Sequence, residues 1–282
     1  MLKKKDGIMA ELNPQAQANL DEALMVTQSQ LPHAFEGRFG AGASERCIEV
    51  PWAAQWFDKD MAVMDIGFTM SSLDWLGLML NVRNTMNISI DAMDIIKPER
   101  VQTRYPAPWL KDILSVPVSI GDIRQSKVKA DHYDLVTCIS TIEHIGFDYA
   151  DENDPNTAFK RGKTPEDVPM DRDEDVNEAV LSKVHQALKR GGCLILTTPM
   201  GKGGPALLKD SLGLYTRQWE YEKQSWKELT THRGFRLVEE RFFRCDDDGC
   251  WSEAEGPDDL SDRSSSLQPH AKGCALAVLE KI

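Results

Sequence analysis

The stretch Met61-Ala-Val-Met-Asp-Ile-Gly-Phe-Thr-Met-Ser71 constrains this chain more than any other. Residues 61–66 form an apolar run of strand length that ends in Asp65-Ile66-Gly67. A glycine there permits a backbone turn that a residue with a Cβ rarely makes. The expected element is a buried strand that turns sharply into a helix near Ser71. That unit opens an open α/β sheet, where ligands lie outside the carboxyl ends of the strands. An ordinary strand-to-helix turn with Ser71 or Ser72 as N-cap accounts for the same residues. Residues beyond Ser71 separate the two readings.

From Met61 the pattern alternates. Apolar β-type runs occur at 61–66, 88–91, 116–120, 133–139, 192–198, 235–243 and 274–280. Helix-compatible segments lie at 71–80, 94–100 and 175–189, with another from Ser225 to about His232. Strands alternating with helices predict a mostly parallel sheet covered on both faces. In the third segment Val180, Leu181, Val184 and Leu188 share one face, and Lys189-Arg190-Gly191-Gly192 reads as its dipole-complementing last turn and glycine cap. Residues 1–58 read as an arm and lead-in, with an amphipathic stretch at Leu20 to Met25. Residues 59–282 read as the main domain, carrying insertions at about 147–175 and 246–270. Both insertions are acidic and too long for simple connections.

A chain of 282 residues with 41% hydrophobic and 28% charged residues is ordinary globular material. Its net charge of −12 argues against nucleic acid as a main partner, because phosphate binding needs clustered cations. No run approaches the roughly 18 apolar residues of a membrane span, and the basic opening Leu2-Lys3-Lys4-Lys5 has no signal-type apolar core behind it. The expectation is a cytoplasmic protein without a membrane partner, with room for a homo-oligomer. The six cysteines form no C-x-x-C pair, which points to reduced structural thiols and no metal. Asp246-Asp-Asp248 reads as an exposed acidic turn rather than a cation site.

Further pieces come after the Asp65-Ile-Gly67 turn in order. Ile88-Ser-Ile-Asp91 places an acid roughly twenty residues beyond the glycine, suited to accept both hydroxyls of a ribose; Asp94, three residues on, reads as a helix cap. Ser119-Ile-Gly121-Asp122-Ile123 follows a third run, and Tyr133-Asp-Leu-Val a fourth, leading to Ser140-Thr-Ile-Glu143-His144. Leu188-Lys-Arg-Gly-Gly-Cys-Leu-Ile-Leu-Thr-Thr-Pro199 is a fifth. With Glu49-Val-Pro-Trp52 ahead of them, residues 61 to about 200 resemble a class I S-adenosylmethionine-dependent methyltransferase, closest in flavour to bacterial small-molecule and glycan-pathway enzymes. The family loop D/E-x-G-x-G-x-G has Thr69 and Ser71 in place of its last two glycines.

The resemblance implies a Rossmann-like α/β fold with a seven-stranded, mostly parallel sheet, helices on both faces and the last strand antiparallel. It implies S-adenosyl-L-methionine as cofactor and a small-molecule or glycan-type acceptor, more readily methylated on oxygen than nitrogen. Asp65, Gly67, Thr69 and Ser140 would line the methionine end, Asp91 would hold the ribose, and Asp122 and Ile123 the adenine. His144, with Glu143 beside it, would serve as proton acceptor or line the site; histidine suits that task because its ordinary pKa lies near neutrality. Tyr215 and Arg217, alternating with Trp219 and Tyr221, are candidates for acceptor binding. A non-catalytic cofactor-binding protein and an NAD-dependent oxidoreductase are the alternatives. The second lacks its G-x-G-x-x-G fingerprint here.

Overall fold

A computed structural model of the chain describes residues 12–29, 31–99, 108–146, 175–202, 206–209, 215–261 and 271–282. Ten strands are present among these: β1 Ala62–Ile66, β2 Ser89–Asp94, β3 Val118–Ile120, β4 Tyr133–Ile139, β5 Leu188–Pro199, β6 Ala206–Lys209, β7 Tyr215–Glu220, β8 Phe235–Cys245, β9 Trp251–Ala254 and β10 Gly273–Lys281. The helices are α1 Pro14–Ser29, α2 Arg46–Ala54, α3 Leu73–Thr85, α4 Val176–Ala187 and α5 Lys223–Thr230. Eight strands form one sheet in the order β3-β2-β1-β4-β5-β10-β8-β9, and β6 and β7 form a separate antiparallel pair.

Strands β3, β2, β1, β4 and β5 run parallel, whereas β10 is antiparallel to both β5 and β8. The order reverses between β1 and β4: the chain first builds outward through β2 and β3, then returns to the other side of β1. That reversal opens a crevice at the carboxyl ends of the strands, the usual place for a ligand in such sheets. The architecture is Rossmann-like, as the sequence implied, with the last strand antiparallel. It has eight strands in the main sheet instead of seven. The extra one, β9, is a four-residue strand within the 246–270 stretch and pairs only with β8 in the sheet. The part of that stretch at 262–270 and the insertion at 147–174 lie outside the described residues.

Two apolar clusters cover the two faces of the sheet. One contains Leu20, Ile48, Trp52, Trp75 and Leu76, so α1, α2 and α3 share it. The other contains Val180, Leu181, Val184, Trp226 and Leu229 from α4 and α5. The i, i+4 spacing of Val176, Val180 and Val184 is what lets α4 bury a single stripe. Helix α5 begins with a capping box, in which Glu222 accepts from the Ser225 and Gln224 amides while Ser225 Oγ accepts from the Glu222 amide.

The glycine cap expected after α4 is not formed. The helix ends at Ala187, and Leu188 already pairs with Tyr133 as the first residue of β5. Lys189–Gly192 instead bulges out of the sheet register, with Gly191 at φ 78°. A Cβ on Gly192 would stand 3.0 Å from three carbonyl oxygens, so the glycine permits close backbone approach. All six cysteines are free thiols. Among the described residues no helix is long and apolar enough to cross a membrane, and no cluster of His, Cys, Asp and Glu could hold a metal. Arg38 pairs with Asp246 and Asp248, which makes that acidic turn a clasp for the amino-terminal segment.

Candidate cofactor and acceptor site

Strand β1 delivers Asp65 and Gly67 to the crevice differently. Asp65 is 1% exposed. Its carboxylate accepts from Thr137 Oγ1 at 2.5 Å and from Trp75 Nε1 at 3.3 Å, within the sheet and against α3. Burial raises its pKa to about 7 against the hydrogen bonds that oppose the shift. Gly67 has φ 89°, and a Cβ there would overlap the Thr141 side chain. The glycine therefore serves both a left-handed turn and the contact between the turns after β1 and β4.

The segment after Gly67 coils into a short 3-10 turn at Phe68–Met70, with Phe68 and Thr69 fully buried. Thr69 Oγ1 donates to the Ile96 carbonyl, and Ser71 Oγ donates to the Gly67 carbonyl. The expectation that Thr69 faces the cofactor is corrected: its hydroxyl is committed to the chain after β2. The reason is steric, since side chains in place of the loop glycines must be packed somewhere.

The acid expected at the ribose, Asp91, does not lie at the strand end. Asp91 lies mid-strand, three residues before the end of β2. It accepts from Lys129 Nζ at 2.6 Å and Tyr133 Oη at 2.9 Å, at the amino end of β4. The acid at the carboxyl end of β2 is Asp94. It is 7% exposed and accepts the Thr69 amide at 2.7 Å and the Ile96 amide at 2.8 Å. Burial raises its pKa to about 6. Ile95, the next residue, is exposed, as is Ile120, which pairs with Asp94 across the sheet. Two large apolar side chains left in water beside a strand-end carboxylate suit an adenosine. The signal for Asp94 was present in the sequence: Ala92-Met93 continues the apolar run through to the acid.

Beyond β3, Asp122 accepts from its own neighbour Arg124, at 3.0 Å from Nε and 2.6 Å from Nη2, and caps the following turn. Ile123 is 3% exposed and packs in the core with Met93. Asp122 is thus partnered within its own turn, and Ile123 forms part of the floor under it.

At the end of β4, Ser140 has φ 42°, an unusual left-handed conformation for serine. Its amide donates to Thr197, to the carbonyl at 3.1 Å and the hydroxyl at 3.0 Å. Its own hydroxyl donates to Glu49 Oε1 at 2.7 Å. Residues Ile142–His144 form a second 3-10 turn. Glu143 is fully buried; Oε2 accepts weakly from Thr198 Oγ1 at 3.4 Å, and Oε1 has no hydrogen-bond partner among the described residues. Burial is the main cause that pushes its pKa up to about 8. His144 is half-buried on the same turn. Strand β7, with Tyr215 and Arg217 on its backbone, packs against this turn. Tyr221 is not part of an exposed aromatic face: it is fully buried and donates its hydroxyl to Asn177.

Two residues that the sequence reading left unassigned, Glu49 and Arg46 of α2, join this end of the sheet. Glu49 is fully buried; its Oε1 accepts from Ser140 and, at 2.6 Å, from Thr197 Oγ1, and its Oε2 pairs with Arg46. Nothing in residues 46–54 alone reveals these contacts, because the strand-end partners of Glu49 are some 90 and 150 positions away. The chemistry of this donor set fits S-adenosylmethionine: a strand-end acid with exposed apolar neighbours for the nucleoside, and fixed charges of both signs for the amino-acid end.

A cleft of about 280 Å³ lies at the opposite end of the sheet, bounded by Trp56, Met61, Asp134, Lys189 and Arg190. It shares no residue with the crevice at the carboxyl ends.

No family model and no curated protein matches the chain. Solved structures do. A SAM-dependent methyltransferase from Methanosarcina mazei is 13% identical over 82% of this chain and 97% of its own, with a TM-score of 0.49. A putative sarcosine dimethylglycine methyltransferase from Galdieria sulphuraria is 12% identical over 79% of both chains, with a TM-score of 0.45. The 1,6-didemethyltoxoflavin-N1-methyltransferase of Burkholderia thailandensis, solved with bound 1,6-didemethyltoxoflavin and S-adenosylhomocysteine, is 10% identical over 79% of this chain and 72% of its own, at a TM-score of 0.44. Each of these three solved structures is of a protein named as a methyltransferase.

Proposed function

We propose that the protein transfers the methyl group of S-adenosylmethionine to a small-molecule or glycan-type acceptor. The supporting observation is the convergence of Gly67, Asp94, Ser140 and Glu143 at the carboxyl ends of β1, β2 and β4, where the strand order reverses. An oxidoreductase reading gains nothing from this arrangement, since the first loop has no second or third glycine.

The cofactor, when bound, supplies an electrophilic methyl on a sulfonium. The protein's share is alignment and proton management. Asp94 accepts the ribose hydroxyls, and Ile95 and Ile120 cover the adenine. Ser140, fixed in its left-handed turn, shapes the wall at the end of β4. His144, on the turn against which β7 packs, takes the proton of an acceptor hydroxyl, and residues on β7, with Tyr215 and Arg217 as candidates, hold the acceptor. Cytoplasmic location and acceptor identity belong to this reading.

Isothermal titration with S-adenosylhomocysteine, with NADH as control, tests it. Micromolar binding of the former alone supports the donor assignment, and methyl transfer to a screened sugar or natural-product acceptor completes it. Binding without transfer to any acceptor leaves the non-catalytic alternative; absence of binding removes the assignment.

A further inference from the structure

We propose that the cleft at the amino ends of β1, β4 and β5 is a second ligand site, which takes a small monocyclic carboxylate, the ring lying on an apolar floor and the carboxylate held by Arg190. The cleft shares no residue with the crevice of the methyl-donor reading, so the inference stands or falls independently of that reading.

The bulge in β5 builds the cleft. Leu188 pairs with Tyr133 and Cys193 with Leu135, so residues 189–192 stand opposite Asp134 alone. Extra residues in one strand bend it and re-aim its side chains. Two glycines give this bulge one shape. Gly191 turns left-handed at φ 78°, and Gly192 sits where a Cβ would meet backbone carbonyl oxygens at 3.0 Å. The space beside the bulge is about 280 Å³. Ligand sites run from about 300 Å³ upward, so this one has room for a single ring and not for a nucleotide.

The floor is apolar: Trp56, Met61 and Cys193 pack against the core cluster that contains Leu135. The rim is cationic. Asp134 has no oxygen to spare, since Oδ1 accepts from Lys189 Nζ at 2.6 Å and Oδ2 from the Ala62 amide at 2.8 Å. Arg190 is exposed and forms no ion pair among the described residues. Lys189 and Arg190 against Asp134 leave the rim one positive charge in excess, in a chain of net charge −12. That excess matches a monoanion. A guanidinium fork fits a carboxylate with two parallel N–H bonds, and an aromatic ring packs on the half-buried indole of Trp56.

The test is an NMR titration of the full chain, labelled with nitrogen-15, with benzoate as probe and benzyl alcohol as its neutral counterpart. Seven tryptophans give seven indole resonances, and Trp56→Phe identifies the one that belongs to the cleft. The Trp56 N–H has no hydrogen-bond partner among the described residues, so no internal acceptor pins its resonance. Benzoate is expected to shift this resonance saturably, and benzyl alcohol to bind about tenfold more weakly. Arg190→Met should lower benzoate affinity about tenfold, the worth of a charge-assisted hydrogen bond, and leave benzyl alcohol within about twofold. Unmoved resonances from the other six indoles certify that the variant is folded. Lys223→Met, which removes an exposed cation elsewhere, should leave benzoate affinity within about twofold, as should saturating S-adenosylhomocysteine. A Trp56 resonance that benzoate does not move overturns the site. So does equal affinity for the two probes, an Arg190→Met variant that binds benzoate as the wild type does, or an equal loss in Lys223→Met.

Discussion

The acids at the two ends of the parallel strands live in opposite electrostatic settings. At the amino ends, Asp91 pairs with Lys129, Asp134 with Lys189, and Asp131 with Lys281. Asp134 and Asp131 are held below the ordinary carboxylate range, Asp134 by the Ala62 amide and Lys189 against its partial burial, Asp131 by Lys281. At the carboxyl ends, Asp65, Asp94 and Glu143 are buried, have hydroxyl, indole or amide partners and, among the described residues, no lysine, and are raised to about 7, 6 and 8. Lysine-paired acids sit on an exposed rim, whereas burying an acid without a lysine beside it costs stability.

Exchanging the two ribose candidates would break this comparison most directly. Asp94→Asn should weaken S-adenosylhomocysteine binding about 10- to 100-fold, the usual worth of hydrogen bonds to a charged group. Asp91→Asn should leave it within about twofold. Equal losses measured by calorimetry would mean that strand position does not separate the two acids.

Gly67→Ala probes the turn itself. With φ at 89° and Thr141 in the way of a Cβ, it should cost about 1–3 kcal/mol in a denaturant titration. A neutral result would show that the turn after β1 is looser than its contacts imply.

The pH dependence of stability sharpens the contrast further. Asp65, Asp94 and Glu143 bind protons more tightly folded than unfolded, so the stability they contribute is fully present below about pH 4 and is lost as pH rises through about 6 to 8. Asp134, shifted the other way, contributes above the ordinary carboxylate pKa and loses its contribution as pH falls. Denaturant midpoints should therefore decline between about pH 5 and 8. Glu143→Gln should flatten the upper part of that decline. A midpoint that holds level to pH 8 in the wild type would contradict buried, cation-poor acids at the carboxyl ends.

The smallest effect is expected at the rim. Lys189→Met or Asp134→Asn removes a half-exposed pair worth less than about 1 kcal/mol and should not alter S-adenosylhomocysteine binding.

Much of the sheet was readable because buried strands announce themselves as short apolar runs. The expected run 133–139 is β4, and 235–243 and 274–280 fall within β8 and β10. β9 was not readable: four residues, Trp251-Ser-Glu-Ala254, carry too little apolar pattern, and pairing with Phe242–Cys245 makes the strand. The end of α4 was misplaced for a related reason. Lys189-Arg190-Gly191-Gly192 is good cap chemistry, but Leu188 gains more by pairing with Tyr133 than by a further helical turn. The strand ends divided similarly. The turn at Gly67 was legible from its glycine, whereas the apolar run 88–91 stops three residues short of Asp94, where β2 ends.

By itself the sequence determined the alternation of strands and helices, the turn at Gly67 and the acid-bearing turns after β2 and β4, since these follow from local propensity and periodicity. Only the tertiary structure decided which carboxylates are sealed in, which are matched by lysines and which stand unpaired. Those outcomes depend on contacts such as Glu49 to Ser140 and Thr197, or Asp65 to Thr137, between residues 72 to 148 positions apart. The free energy of a charge is set by its three-dimensional surroundings, and no local reading of residue order contains them.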